Sequence, residues 1–167
     1  MSDAVEWALH CCTVLATLPE DQTLPAARLA EFHDVPPAYL AKAMQAMTAA
    51  GVTESRPGPH GGYRLVRPPS EITLLEVVLA VDGADTAFQC GEIRQRGPAA
   101  TDAPGAYRRP CGIARAMWRA EDAWRAELAA TSIGDLLVEL VATVPMAQLV
   151  RGAEWIQSVE ITRRNRA

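Results

Sequence analysis

The periodicity of the sequence changes at Gly51, and this change constrains the fold more than any other feature. Before it, apolar residues recur at helical spacing in three segments, at 5–17, 24–32 and 37–50. After it, polar and apolar residues alternate as in strands in two segments flanking a Pro- and Gly-rich turn, at 52–56 and 63–67. We therefore predict a mainly α fold with a small β-hairpin wing, which is the order of a winged helix-turn-helix.

The rest of the chain divides at a long irregular stretch. Helical patterns return in three segments, at 72–81, 113–130 and 133–144. Between the first two lie residues 84–112, which are rich in Gly, Pro and Ala and hold two of the four cysteines. Long loops without periodicity are usually functional or disordered. We therefore expect three parts, at residues 1–83, 84–112 and 113–167.

Composition narrows the class of protein. A chain of 167 residues suits one domain with a hydrophobic core. It has no apolar run of the roughly 20 residues that span a bilayer, and its first residues lack the features of a signal peptide. We expect a cytoplasmic protein with no membrane partner, in which cysteines are thiols or metal ligands rather than structural disulfides. No phosphate loop or nucleophile–base arrangement is evident, so we expect no enzyme.

The predicted helix at 37–50 is the second helix of the turn motif, the one that enters the major groove of DNA. Its early outward positions and the hairpin carry groups suited to base edges and phosphates. The predicted DNA contacts are Arg28, Ala38, Tyr39, Lys42, Gln45, Arg56, His60, Gly61 and Arg64. Residues 28–67 hold five basic and three acidic residues, whereas the whole chain has a net charge of −4. This local charge favours double-stranded DNA as a partner, against the alternative that the motif serves only for packing.

Five short motifs in this order resemble the Rrf2 family of winged-helix regulators. They are PAYL at 37–40, MTAAGV at 47–52, GGYRL at 61–65, ITLLEVV at 72–78 and VDG at 81–83. The resemblance extends from about residue 5 to about residue 140. It implies a homodimeric transcription regulator with the helix at 113–130 as its main dimer contact. Pro36 departs from the family, which often has a serine cap there, so the resemblance leaves the start of the recognition helix open.

Members of this family often carry three cysteines in the loop before the dimer helix, where they hold an iron–sulfur cluster. This chain has two there, Cys90 and Cys111, and two thiolates cannot complete a 2Fe–2S cluster, which takes four protein ligands. Glu6 and His10 lie four residues apart, on one face of the first predicted helix. Three segments also resemble the redox-sensing members of the family, at 5–12, 90–98 and 111–117.

That closer resemblance implies a 2Fe–2S cluster whose redox state controls DNA binding. The implied ligands are Glu6, His10, Cys90 and Cys111. It further implies that the first two ligands come from one subunit of the dimer and the cysteines from the other, with residues 84–112 as the cluster-binding loop. Trp7 adjoins Glu6 in the chain, and we predict that it acts as a redox switch that moves when the cluster changes.

The residues alone leave alternatives open. Without the resemblance, Glu6 and His10 are an ordinary polar pair of a helix surface. Cys90 and Cys111 are then small buried residues, or a pair that forms a disulfide on oxidation without any cluster. The same four residues also suit a mononuclear zinc site. The adjacent cysteines at 11–12 point about 100° apart on a helix and are expected in the core or an interface.

Overall fold

A computed structural model describes residues 1–58 and 61–164, with side chains described through residue 159. The helices are α1 (Asp3–Leu15), α2 (Ala26–His33), α3 (Pro37–Ala49), α4 (Leu74–Asp82), α5 (Gly112–Ala130), α6 (Ile133–Thr143) and α7 (Met146–Arg164). The strands are β1 (Thr53–Arg56) and β2 (Gly62–Leu65), and short 3-10 turns lie at Pro69–Glu71 and Ile93–Gln95. This confirms the predicted mainly α fold with a small hairpin. Across the described ranges, every helix is too short or too polar to cross a bilayer.

The chain forms two compact units. The first comprises residues 1–83 and 128–167, and the second comprises residues 84–127. The boundary between them therefore falls once in the loop after α4 and once near the end of α5. Each unit has its own kind of internal packing.

A continuous apolar core fills the first unit, where α1 packs against α3 and α4. Leu40, Met44 and Met47 follow one another at helical spacing on the inner face of α3 and are fully buried. They meet buried residues of the other elements, namely Ala8, Cys11, Cys12, Leu15, Leu24, Leu29, Ile72, Val77 and Ile133. Burying one such side chain contributes about 1.5–3 kcal/mol, so this core fixes the orientation of α3 and leaves its opposite face to solvent.

The connection between α2 and α3 is a tight turn. Asp34 ends α2 in the left-handed conformation, with φ at 51°, which short polar residues adopt more readily than most. The amide of Val35 then donates to the carbonyl oxygen of Ala30 at 3.0 Å. Pro36 is extended and offers no side-chain cap, yet α3 begins at Pro37, because a first-turn proline has the helical φ already and needs no amide partner. The departure at Pro36 therefore leaves the recognition helix in place.

The hairpin is fastened to the segment that precedes α2. Its strands are antiparallel, with Thr53 opposite Leu65 and Arg56 opposite Gly62. The backbones of Leu24 and Tyr63 also exchange two hydrogen bonds, of 3.0 and 2.8 Å. A Cβ atom on Gly62 would lie 2.4 Å from the carbonyl carbon of Leu24, so this close approach requires glycine.

Helix α4 is tied to its surroundings at both ends. At its start, Thr73 and Glu76 form a reciprocal capping box, and Arg67 Nη2 donates to Glu76 Oε1 at 2.5 Å. At its end, the Asp82 carboxylate accepts hydrogen bonds from both the amide and the hydroxyl of Ser2. The last of these contacts joins the C-terminus of α4 to the N-terminus of α1.

Helix α7 extends over residues where the sequence shows only a weak amphipathic pattern. Trp155 contacts Phe32 of α2 with ring centroids 5.2 Å apart, and Val159 belongs to the core of the first unit. The remaining described side chains of α7 are exposed or half-buried, and polar and apolar residues are mixed among them. This explains why the pattern is weak although the helix is long.

Candidate DNA interface and redox site

The outer face of α3 presents the predicted base-reading residues together. Ala38, Tyr39, Lys42 and Gln45 are all exposed, and the Tyr39 side chain is 63% exposed. Lys42 Nζ lies 5.7 Å from the centre of the Tyr39 ring, a cation–π contact on the helix surface. Since the opposite side of α3 is held in the core, these four side chains form a fixed, accessible patch that can meet a groove of DNA.

The hairpin arginines are engaged within the protein. Arg64 Nε donates to Glu54 Oε1 at 2.6 Å, and Arg64 Nη1 donates to the carbonyl oxygen of Glu20 at 3.1 Å. Arg56 Nη1 donates to the carbonyl oxygen of Asp21 at 3.3 Å. The hydrogen bond from Arg64 also lowers the pKa of Glu54, so this carboxylate stays charged beside the arginines. Their positive charge is therefore partly neutralised before any phosphate approaches.

Three further predicted DNA contacts lie near this surface. Arg28 Nη1 pairs with Glu31 Oε2 at 2.5 Å along α2. The amide of Gly61 donates to the carbonyl oxygen of Gly58 at 2.8 Å and so closes the hairpin turn. His60 lies outside the described residues. The contacts proposed for all three with DNA stay predictions.

Helix α1 exposes the two predicted ligands of the amino-terminal region. Glu6 and His10 are both exposed, one helical turn apart and on the side away from the buried Val5 and Ala8. Trp7 is half-buried and packs against the core cluster. The helix therefore carries an exposed carboxylate and an exposed imidazole on one face, and an aromatic ring beside them in sequence packs against the core.

His33, at the end of α2, adjoins His10. The two rings lie with centroids 5.5 Å apart, and His33 Nε2 is buried without a hydrogen-bond partner among the described residues. Burial lowers the pKa of His33, and the neighbouring His10 lowers it further. No linear spacing in the sequence connects His33 with His10. The proximity arises only when α1 packs beside α2.

Cys11 and Cys12 are core residues, as predicted for this pair. Both thiols are buried, and burial raises the pKa of each to about 12. The Cys12 thiol donates to the sulfur of Met47 at 3.7 Å. This contact joins α1 directly to the inner face of the recognition helix.

In the second unit, Cys90 and Cys111 are half-buried free thiols. The Cys111 sulfur accepts a hydrogen bond of 3.2 Å from the amide of Ala114, in the first turn of α5. A helix N-terminus stabilises negative charge through its unpaired amides and dipole, and thiolate is the form that binds metals. Cys111 thus lies at a helix N-terminus, and its role as a metal ligand stays a prediction.

A network of polar contacts lies between the two cysteines in the chain and was missed by the sequence analysis. Arg94 pairs with Glu92 through two hydrogen bonds, and its Nη2 also donates to the carbonyl oxygen of Arg109 at 2.9 Å. The one sequence signal for it is the carboxylate and guanidinium alternating shortly after Cys90. Among the described residues, no group of three His, Cys, Asp or Glu side chains is assembled to hold a metal ion.

A family model described as Rrf2, iron-dependent transcriptional regulator, matches residues 1–139. This chain belongs to the Rrf2 family. The match confirms the resemblance carried by the five sequence motifs. Rrf2 proteins are transcriptional regulators and not enzymes, as the absence of catalytic motifs predicted.

Two relatives illustrate the extent of the likeness to this Rrf2 chain. YwgB of Bacillus subtilis is 35% identical over 89 residues, which cover 53% of this chain and 57% of YwgB. The alignment therefore spans little more than half the length of that relative. Protein aau3 of Rhizobium meliloti is 30% identical over 137 residues, which cover 80% of this chain and 79% of aau3.

The solved structures show the same fold. The structure of CymR, the global cysteine regulator of B. subtilis, matches this Rrf2 chain with a TM-score of 0.63 at 21% identity. The match covers 83% of this chain and 96% of CymR. At this identity the likeness establishes the winged-helix architecture of the Rrf2 fold.

Proposed function

We propose that this protein is a homodimeric DNA-binding transcription regulator whose affinity for DNA is set by the redox state of a 2Fe–2S cluster. The proposed ligands are Glu6 and His10 of one subunit and Cys90 and Cys111 of the other. One observation carries the proposal: the ligand-type side chains occur as two pairs, one on the open face of α1 and one in residues 84–127. The first pair is exposed, and the cysteines of the second pair are half-buried free thiols that form no disulfide.

The donor set fits the cluster. Two thiolates, an imidazole and a carboxylate supply the four protein ligands that a 2Fe–2S centre takes, and imidazole already replaces cysteine in Rieske-type centres. A centre shared across a dimer interface needs only two ligands from each chain. When bound, the cluster would supply reversible one-electron redox chemistry. The Rrf2 family model is that of an iron-dependent transcriptional regulator, which supports this choice of metal.

The path from α1 to DNA runs through the core. A change in the position of Glu6 and His10 moves α1, which packs against α3. Trp7 lies between the ligand face and the core, and the contact of Cys12 with Met47 reaches the inner side of α3. Since packed cores have discrete arrangements rather than continuous deformation, a shift of α1 re-aims the outer face of α3. This is the role proposed for Trp7 as the redox switch.

The DNA contacts follow from the same geometry. The outer face of α3 enters the major groove, where Gln45 reads a base edge and Lys42 contacts a phosphate or guanine. In a dimer, two such helices must match half-sites roughly 34–36 Å apart. The exposed apolar side chains of α5, namely Ile113, Met117 and Trp118, support α5 as the main dimer contact.

The test compares DNA affinity in three states of the protein. Anaerobically purified protein is examined by visible absorption and by iron and sulfide analysis. Its affinity for a duplex selected from a random pool is then measured at one fixed salt concentration in the oxidised, reduced and cluster-free forms. We expect two equivalents each of iron and sulfide per cluster and a clear difference in affinity between oxidised and reduced protein. Equal affinity in all three forms contradicts the proposal.

Ligand variants separate the alternatives. Glu6→Ala and His10→Ala should both lose the visible absorption, whereas Asp3→Asn, an exposed acid on the same helix, should keep it. Colourless wild-type protein that contains zinc supports the mononuclear site instead. A redox response that survives in Glu6→Ala supports a disulfide switch between Cys90 and Cys111, because that switch does not need a carboxylate.

A Trp7 variant tests the switch itself. Trp7→Ala should retain the cluster absorption but lose most of the difference in DNA affinity between the oxidised and reduced forms. Trp155→Phe, a change in an aromatic residue that packs on α2 instead, serves as the control and should keep the difference. A normal redox response in Trp7→Ala removes this residue from the mechanism.

A further inference from the structure

We propose that Arg94 is a positioning residue that clamps the two cysteine-bearing segments together and, with Glu92, sets the reduction potential of the cluster. This inference rests on the proposed function for its redox part. The clamp itself is a property of the chain, so the two parts can be tested separately.

In the clamp, the Arg94 guanidinium contacts one residue near each of the two cysteines. Glu92 follows Cys90 by two residues, and Arg109 precedes Cys111 by two residues. Arg94 Nη2 donates to Glu92 Oε2 at 2.6 Å and to the carbonyl oxygen of Arg109 at 2.9 Å. A single side chain therefore connects the segment that carries one thiol to the segment that carries the other.

Tyr107 contacts Arg94 through both its hydroxyl and its ring. Its hydroxyl donates to the carbonyl oxygen of Arg94 at 2.9 Å and accepts from the amide of Thr101 at 2.9 Å. The Arg94 guanidinium carbon also lies 5.5 Å from the centre of the Tyr107 ring. The planar guanidinium is thus fixed by an ion pair, a carbonyl and an aromatic face, which is the kind of site that arginine fills better than lysine.

Glu92 adopts a backbone conformation that glutamate rarely takes. Its φ and ψ are 44° and 54°, in the left-handed region. Such a residue persists only where the surrounding contacts outweigh its cost, and such residues cluster at functional sites. Here the outlier directs the carboxylate to both Nε and Nη2 of Arg94.

The charges of this pair lie near both cysteines along the chain, because Glu92 follows Cys90 by two residues and Arg94 contacts the carbonyl oxygen of Arg109, two residues before Cys111. The hydrogen bond to Glu92 raises the pKa of Arg94 most, and the electrostatic influence of Cys111 and Cys90 acts in the same direction. Reduction adds one electron, and hence one negative charge, to a centre bound by those sulfurs. A nearby cation stabilises the reduced form and a nearby anion destabilises it. Arg94 should therefore raise the reduction potential, and Glu92 should lower it.

The first experiment measures the midpoint potential of the cluster-loaded full-length protein by mediated redox titration. In Arg94→Gln, reduction should become less favourable by about tenfold, which for a one-electron couple is a downward shift of about 59 mV. Glu92→Gln should shift the potential upward. The double variant should return toward wild type because both charges are gone. Arg96→Gln, at an exposed arginine two residues along the loop, is the control and should leave the potential unchanged.

Arg94→Lys separates charge from shape. Its midpoint potential should stay close to that of wild type, because the positive charge remains. The paired contact to Glu92 and Arg109 should be lost. Potentials of Arg94→Gln and Glu92→Gln that both equal wild type overturn the redox part. Shifts of the two variants in the same direction also overturn it, because a merely structural effect has no reason to follow the sign of the charge removed.

The second experiment needs no cluster. Amide hydrogen exchange in residues 89–112 of cluster-free protein should be several-fold faster in Arg94→Gln and in Arg94→Lys than in wild type, and unchanged in Arg96→Gln. Unaltered exchange in Arg94→Gln overturns the clamp. If wild-type protein binds no cluster under any condition, the proposed function fails and the redox part fails with it, whereas the exchange result still decides the clamp.

Discussion

Each of the two units of this molecule is stabilised internally by a different kind of contact. In the first, α1, α3 and their neighbours enclose fully buried leucines, methionines and two isoleucines. In residues 84–127, all of which the structure describes, only Ala114 is buried. The shape of that second unit is carried by hydrogen bonds and ion pairs around Arg94. Apolar burial therefore stabilises the first unit, whereas polar contacts stabilise the second unit, which carries Cys90 and Cys111.

This contrast suits a sensor. Free energy of apolar burial is distributed over many contacts, so α3 keeps its orientation until the whole core rearranges. A loop held by a few exposed polar contacts opens at much lower cost, and it can adjust when a metal centre or a partner subunit engages it. The following predictions test how far this difference extends, beginning with the largest effect.

Leu40→Ala should produce the largest loss of stability. Leu40 is fully buried on the inner face of α3, and truncation of a buried leucine costs about 2–5 kcal/mol in the free energy of unfolding. Its neighbour Tyr39 is 63% exposed, so Tyr39→Ala should change that free energy by no more than about 0.5 kcal/mol while weakening DNA binding. Urea denaturation measures the first effect and a DNA titration the second. Similar destabilisation by both variants would contradict the described orientation of α3.

Gly62→Ala should be the next most damaging change. The added Cβ would meet backbone atoms of Leu24 at 2.4 Å, and relief requires the hairpin to shift away, at a cost of about 1–3 kcal/mol. Gly91→Ala in the second unit is the matched control, because a Cβ there meets nothing within 4 Å. Thermal unfolding of both variants tests the difference, and equal melting temperatures would rule out the close approach at Gly62.

Asp82 should contribute a smaller, pH-dependent stabilisation. The hydrogen bond from the Ser2 hydroxyl, assisted by the Ser2 amide, lowers the pKa of Asp82 below its ordinary value of 3.8. A carboxyl with a lowered folded-state pKa stabilises the fold above its unfolded-state pKa and loses that contribution as pH falls through the folded-state value. Asp82→Asn should therefore cost about 1 kcal/mol at neutral pH.

Unfolding of wild type and Asp82→Asn from pH 7 to pH 2 provides the measurement. The difference between their free energies of unfolding should stay constant well above pH 3.8, the ordinary value, and should shrink as the pH falls below it toward the lowered folded-state pKa. A difference that grows toward acid has the opposite sign and is incompatible with the contact to Ser2.

Arg94→Gln should have the smallest effect on global stability. The pair with Glu92 lies in a unit with little buried surface, and exposed ion pairs contribute little to folding. The melting temperature of the cluster-free variant should therefore match wild type although local exchange in the loop accelerates. A large drop in melting temperature would show that the second unit folds cooperatively with the first.

The sequence predicted those parts of the molecule that depend on local pattern. The spacing of Leu40, Met44 and Met47 identified the buried face of α3, and hence the exposed positions Lys42 and Gln45, because helical period alone decides which residues share a face. The proline and glycine turn and the alternating flanks identified the hairpin for the same reason.

Contacts between distant segments could not be predicted in this way. The approach of His33 to His10 depends on how α1 packs beside α2, and the clamp of Arg94 on Arg109 depends on the path of an aperiodic loop. The pairing of Arg64 with Glu54 was easier to predict than these contacts, since the two residues are directly opposite in the hairpin register. The prediction of Arg64 as a DNA contact overlooked a cross-strand ion pair that the register itself implies.

The burial of Cys11 and Cys12 has a practical chemical consequence. At neutral pH their pKa of about 12 keeps both protonated, and the core shields them from reagents. Alkylation of the native, cluster-free chain should therefore modify only Cys90 and Cys111. Cys11 and Cys12 should react once the chain unfolds. An oxidant should for the same reason react first with the half-buried Cys90 and Cys111 and leave the two core thiols intact.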